Sequence, residues 1–115
     1  MEYDEFESLI IHDILSRYPK YAERLEKQFR SSAVVKRTMY PCAFVTEYSI
    51  SATDARLDGA PDLRLGNSQW SMDGLTMGSD YILWIRGGYV SSLEGFTYGE
   101  PWPSEIKNVV KINND

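Results

Sequence analysis

The stretch 80–103, DYILWIRGGYVSSLEGFTYGEPWP, constrains this chain more than any other. Two apolar, aromatic-rich runs meet at Gly87-Gly88 and leave through an acidic, proline-stiffened exit. Two glycines between such runs favour a two-residue loop with positive φ angles, and hence an antiparallel hairpin. The loop sets a register in which Arg86 faces Tyr89, Ile85 faces Val90, Leu83 faces Ser92 and Tyr81 faces Glu94. One face then carries Tyr81, Leu83, Ile85, Val90, Ser92 and Glu94, and the other Ile82, Trp84, Arg86, Tyr89, Ser91 and Leu93. Both faces are substantially apolar, which suits the centre of an antiparallel sheet with helices on one side and a loop or partner on the other. A one-residue bulge would exchange the faces of part of this set.

Upstream, Tyr3, Phe6, Leu9, Ile10, Ile14 and Tyr18 recur at helical spacing, while Glu5, Ser8, His12 and Ser16 fall on the opposite side. This predicts an amphipathic helix over 2–18. Pro19 must end or kink it, but fits the first turn of a second helix reaching about Arg30. There Tyr21, Ala22, Leu25 and Phe29 point inward, and the Glu23/Lys27 and Glu26/Arg30 pairs form a solvated outer face. After Ser31-Ser32 the pattern turns to β. A short strand begins at Val34-Val35, Tyr40-Pro41-Cys42 interrupts, and AFVTEYSIS follows with Phe44, Thr46, Tyr48 and Ile50 on its core side.

Residues 52–68 show no period and read as a long loop pinned by Leu63 and Leu65, with a strand around 69–73 leading into the hairpin. Residues 99–115 read as an irregular or short helical tail, Ser104-Glu105-Ile106 being able to cap a last turn and the final Asn-Asn-Asp frayed. The expected fold class is therefore α+β: N-terminal helices (1–31) packed on an antiparallel sheet (33–98) with a central Gly-Gly hairpin. At 115 residues this is one domain.

The residue inventory restricts chemistry sharply. A single cysteine, Cys42, excludes an internal disulfide framework, and a single histidine, His12, excludes multi-histidine metal sites. Cys42 sits between Pro41 and Ala43 at the start of an apolar strand and reads as a structural thiol, not as half of a thiol–imidazole pair. Asp54, Asp58 and Asp62 lack the alternating spacing and closing Glu of a calcium loop. The glycines at 87, 88, 95 and 99 precede no helix, so no phosphate cradle is implied. No catalytic residue, cofactor or metal site is assigned.

The formal net charge is −5, and Lys and Arg form no block longer than Lys36-Arg37. That disfavours a nucleic-acid track and favours a basic partner. No apolar run approaches the ~18 residues that span a bilayer, and the acidic N-terminus lacks a signal-peptide pattern, so a cytoplasmic protein without membrane contact is expected. Glu94, Phe96, Tyr98, Glu100 and Trp102 form an acidic, aromatic exit from the hairpin and are the candidate partner-binding residues.

Several motifs carry a resemblance. Leu25 to Gln28, Val34 to Arg37, and Gly88-Tyr89 through Leu93-Glu94-Gly95 to Trp102-Pro103 resemble the pattern of a family of small, largely uncharacterised bacterial proteins with a GYxSxLEGxTYGEPWP-type ending. The chain departs from that pattern at Tyr40-Pro41-Cys42-Ala43, where related chains tend to carry Gly-x-Gly. In size, acidity and lack of a catalytic set it is also similar to bacterial immunity proteins. By analogy of type, that likeness implies stoichiometric neutralisation of a toxin domain. Two other readings stand beside it: a small-molecule-binding or enzymatic domain with a pocket near Glu94 roofed by the 52–68 loop, and a homodimer joined through the second face of the hairpin.

Overall fold

A computed structural model describes residues 1–112. Two helices, α1 (Tyr3–Ser16) and α2 (Pro19–Arg30), precede six strands: β1 (Ala33–Tyr40), β2 (Ala43–Ser49), β3 (Leu63–Ser71), β4 (Ser79–Arg86), β5 (Tyr89–Phe96) and β6 (Val110–Lys111). The strands form one antiparallel sheet in the order β1-β2-β5-β4-β3-β6, so the Gly-Gly hairpin β4–β5 is its centre and the fold is α+β.

Pro19 separates the helices instead of kinking one. It occupies the first turn of α2, where its missing N–H leaves no bond unmade, while Tyr18 adopts φ −130° and ψ 65°. Helix α1 buries Phe6, Glu7, Ile10, Ile11, Ile14 and Leu15. Leu9, expected inward, is exposed, because the buried stripe is rotated toward positions 7, 11 and 15. That stripe and Leu25 of α2 join one core with Phe44, Leu65, Tyr81, Leu83, Ile85, Val90 and Leu93.

The hairpin loop has the expected backbone, with φ 56° at Gly87 and 83° at Gly88, and Arg86 pairs with Tyr89. Beyond Ile85–Val90, however, a bulge shifts the register by one, so that Trp84 pairs with Ser92, Leu83 with Leu93, Ile82 with Glu94 and Tyr81 with Gly95. The expected opposition of Leu83 to Ser92 and of Tyr81 to Glu94 is thus corrected. The extra residue turns Leu93 into the core and the Glu94 carboxylate out of it, the arrangement that burial energetics demand. Gly95 then lies beneath two rings: a Cβ there would stand 2.4 Å from Phe44 Cε1 and 2.7 Å from Tyr81 Cε1.

Two further expectations change. Strand β3 begins at Leu63, not near 69, with Leu63 opposite Ile85 and Leu65 opposite Leu83. A register shift between Leu65 and Ser68, with Asn67 at φ 67°, breaks its alternation in the sequence. In the tail, the described residues form no helix at Ser104–Ile106, and β6 instead pairs with Trp70 and Ser71 of β3. The final Asn-Asn-Asp lies outside the described residues.

The segment between β2 and β3 closes around the hairpin tip. Leu57 N–H donates to Gly88 O, Gly88 N–H to Pro61 O, and Gly87 N–H to Asp62. Gln28 of α2 completes the clamp: its amide nitrogen donates to Ala55 O and Gly88 O, and its oxygen accepts from Val90 N–H. These contacts hold the segment at the tip beside α2.

Candidate functional site

The face of the sheet away from the helices is organised in three cross-strand rows. One row runs Lys36, Glu47, Ser92, Trp84, Arg64. The next is Thr38, Val45, Glu94, Ile82, and the third Tyr40, Ala43, Phe96, Asp80, Gln69. Arg86 follows Trp84 on the same side of β4. Strand alternation places these residues opposite Phe44, Thr46, Leu83 and Leu93, which face the helices.

Charge on this face is ordered. The carboxylates Glu47, Glu94 and Asp80 lie on the three strands β2, β5 and β4, while Lys36 sits on edge strand β1, Arg64 on β3 and Arg86 at the hairpin tip. Trp84 donates its indole N–H to Glu94 Oε1 at 3.1 Å, which fixes the ring. The guanidinium groups of Arg64 and Arg86 stand over that ring, 5.6 and 5.3 Å from its centroid. Asp80 is half-buried beside Gln69, and burial raises its pKa above the usual aspartate value against the lowering effect of the Gln69 contact. Ile82 is 7% exposed, shielded at the middle of the face by its neighbours.

The five candidate binding residues divide between this face and the interior. Glu94 and Phe96 lie on the face, and the exposed Tyr98 extends it through a ring contact with Phe96. Glu100 accepts from the backbone N–H groups of Thr76 and Met77 and from the Thr76 hydroxyl, and so pins the β3–β4 connection. Trp102 is buried against Phe44 and Tyr81, and donates its indole N–H to Tyr3 OH at 3.0 Å. Period-two alternation places Trp84 and Arg86 on the second hairpin face, which the sequence offers only as a homodimer surface and not among the candidate binding residues. Val45 and Arg64 are not among them either, Arg64 because the 52–68 segment reads as loop.

A second polar constellation, also missed, lies between α1 and the sheet. Glu7, 1% exposed, accepts from Arg37 Nε at 2.9 Å, Arg37 Nη2 at 2.8 Å, Tyr48 OH at 3.1 Å and the Thr46 hydroxyl. The carboxylate holds Arg37 charged and raises its pKa, while burial and then the Glu7 charge raise that of Tyr48. A groove of about 480 Å3 borders it, lined in part by Asp4, Phe29, Arg30 and Val34. Four donors saturate the Glu7 oxygens, so the network acts as a strut joining α1 to β1 and β2.

Several other acids have local structural partners. Asp54 pairs with Lys27, Asp58 with Arg24, and Asp62 accepts from Gly87 N–H. Asp13 accepts from Ser68 and pairs with Lys111. Burial opposes ionisation of its carboxyl, but those bonds and the Arg17 and Lys111 charges outweigh it and lower its pKa. His12 is exposed beside Glu26, and Cys42 is half-buried in the β1–β2 turn, where its carbonyl accepts from Thr97. Among the described residues no group of His, Cys, Asp and Glu is placed to hold a metal ion, and no helix is long and apolar enough to cross a membrane.

No protein-family model, curated protein or solved structure matches the chain.

Proposed function

We propose that the chain is a non-catalytic protein-binding protein of the bacterial cytoplasm whose uncovered sheet face docks a second, cationic protein. In its most concrete form it is an immunity protein that neutralises a toxin domain by occlusion. The observation that carries this reading is a central antiparallel sheet packed by helices on one face only. Its other face presents Trp84, Phe96, Val45 and Tyr40 among three carboxylates. Aromatic anchors within a polar setting are the usual composition of protein interfaces. The net charge of −5 steers a cationic protein toward the molecule, whereas two copies repel at long range.

The test is co-expression with a toxin-like product of an adjoining reading frame. Protection of growth by the wild-type chain, lost on Trp84→Ala and Glu94→Lys, supports the reading. Failure of the two purified proteins to form a one-to-one complex, or full protection by both variants, ends it. Self-association through the same face, read by light scattering and abolished by Trp84→Ala, would identify a homodimer instead.

A further inference from the structure

We propose that Arg64, Trp84 and Arg86 form a receptor for a carboxylate side chain of the docked protein. The proposal rests on the protein-binding reading of this face and adds the chemistry of one contact within it. Both guanidinium groups lie within 6 Å of the Trp84 centroid, the range of favourable cation–π contact. A guanidinium held near an aromatic ring can still offer its edge N–H donors to a carboxylate, which it binds through two parallel hydrogen bonds. Neither arginine forms an ion pair with a carboxylate among the described residues. Glu94, an acid of the same face, is instead engaged by the Trp84 indole N–H.

The arrangement therefore places two cations beside one aromatic ring, neither paired with a carboxylate among the described residues. A polyphosphate is a poor occupant, because Glu47, Glu94 and Asp80 lie on the neighbouring strands and would repel the rest of such a chain. A single carboxylate side chain offers one charge to the arginines and carries no further anions over Glu47, Glu94 and Asp80. The docked protein is thus read as basic over the central carboxylates and acidic at this one margin. Such an alternation fixes orientation as well as affinity.

The experiment uses the isotopically labelled full chain and a capped tetraglutamate peptide as probe, followed by the Trp84 indole N–H and arginine Nε–H resonances. A saturable shift is expected, with binding about tenfold weaker in the Arg64→Gln/Arg86→Gln variant at unchanged melting temperature. Equal binding by that variant overturns the proposal, as does tighter binding of a four-residue thymidine oligonucleotide than of the peptide. Growth protection separates the two levels. If the double variant loses the peptide but protects as wild type, the receptor is refuted and the docking face stands. If Trp84→Ala and Glu94→Lys also protect fully, the docking face itself is refuted.

Discussion

Replacing Glu7 by glutamine tests whether the strut between α1 and the sheet is held by charge or merely by shape. The substitution keeps volume and reach, so any loss comes from the exchange of one carboxylate oxygen for an NH2 group. Placed at Oε1, the NH2 meets Arg37 Nη2 and the Tyr48 hydroxyl; placed at Oε2, it meets Arg37 Nε and the Thr46 hydroxyl. Either hydroxyl can turn to accept, but an arginine N–H cannot. Both flips therefore set a donor against a donor.

The lost charge-assisted bond is worth about 1.5–3 kcal/mol, and breaking a fully buried pair costs about 3–5 kcal/mol. Arg37 is 24% exposed and keeps Asp4 as a partner, which places the expectation near the lower bound, at about 3 kcal/mol. For a chain of this size that corresponds to a melting-temperature drop of about 12 °C. Urea denaturation with an unchanged m-value measures it. The companion Glu7→Leu/Arg37→Met variant should be more stable than Glu7→Leu alone, because it removes a cation that the exposed Asp4 compensates only in part. A Glu7→Gln loss below about 1 kcal/mol would refute the assignment of a charge-held strut.

Gly95→Ala should lose about 2 kcal/mol in thermal or urea denaturation, since its Cβ would enter the Phe44 and Tyr81 rings and those rings are packed on all sides. Gln28→Leu removes three hydrogen bonds and strands the buried Val90 N–H; a loss of about 3 kcal/mol and faster hydrogen exchange at Val90 are expected. Asp80→Asn should stabilise at neutral pH. The folded-state pKa of Asp80 is raised by burial, so its contribution is intact below the unfolded value and is lost as pH rises through the folded one. The melting-temperature gain of the Asn variant is therefore expected at pH 7 and should vanish below about pH 4.

Where a sequence period matched the environment, the fold could be read from residues alone. Pro19, the Gly87-Gly88 turn and the alternation of Phe44, Thr46 and Tyr48 each encode local geometry, and each reappears in the structure. The misread elements are those in which one residue shifts phase. The bulge opposite Trp84 exchanged Leu93 with Glu94, and the irregularity between Leu65 and Ser68 disguised β3 as loop. Neither leaves a mark in composition, because the gain that fixes a bulge lies across the sheet.

The candidate site was half legible for the same reason. Glu94 and Phe96 stood out as an acid and a ring, but whether Trp102 faced solvent depended on Tyr3, far away in the chain. Glu7 was invisible because a carboxylate on a helix is ordinarily solvated, and its burial requires Arg37, Thr46 and Tyr48 from two other strands. Four residues outside any chemical site carry structural duties: Gln28 clamps the hairpin tip, Arg37 holds Glu7, Gly95 admits two rings and Trp102 locks onto Tyr3.

The order of the strands also dictates a timetable for synthesis. Strand β5 lies between β2 and β4, so the β1–β2 hairpin has no inner neighbour until residues 89–96 have left the ribosome. About 40 residues separate the end of β2 from the start of β5, a wait of about 2–8 s at ordinary translation rates. During that interval the inner edge of β2, the edge that β5 later takes, has no native neighbour, although Tyr3 and Phe6 of α1 can already reach the Phe44 ring. The nascent chain thus passes through a window in which its first hairpin is open to any extended segment nearby, and closing that window falls to the last-made third of the protein.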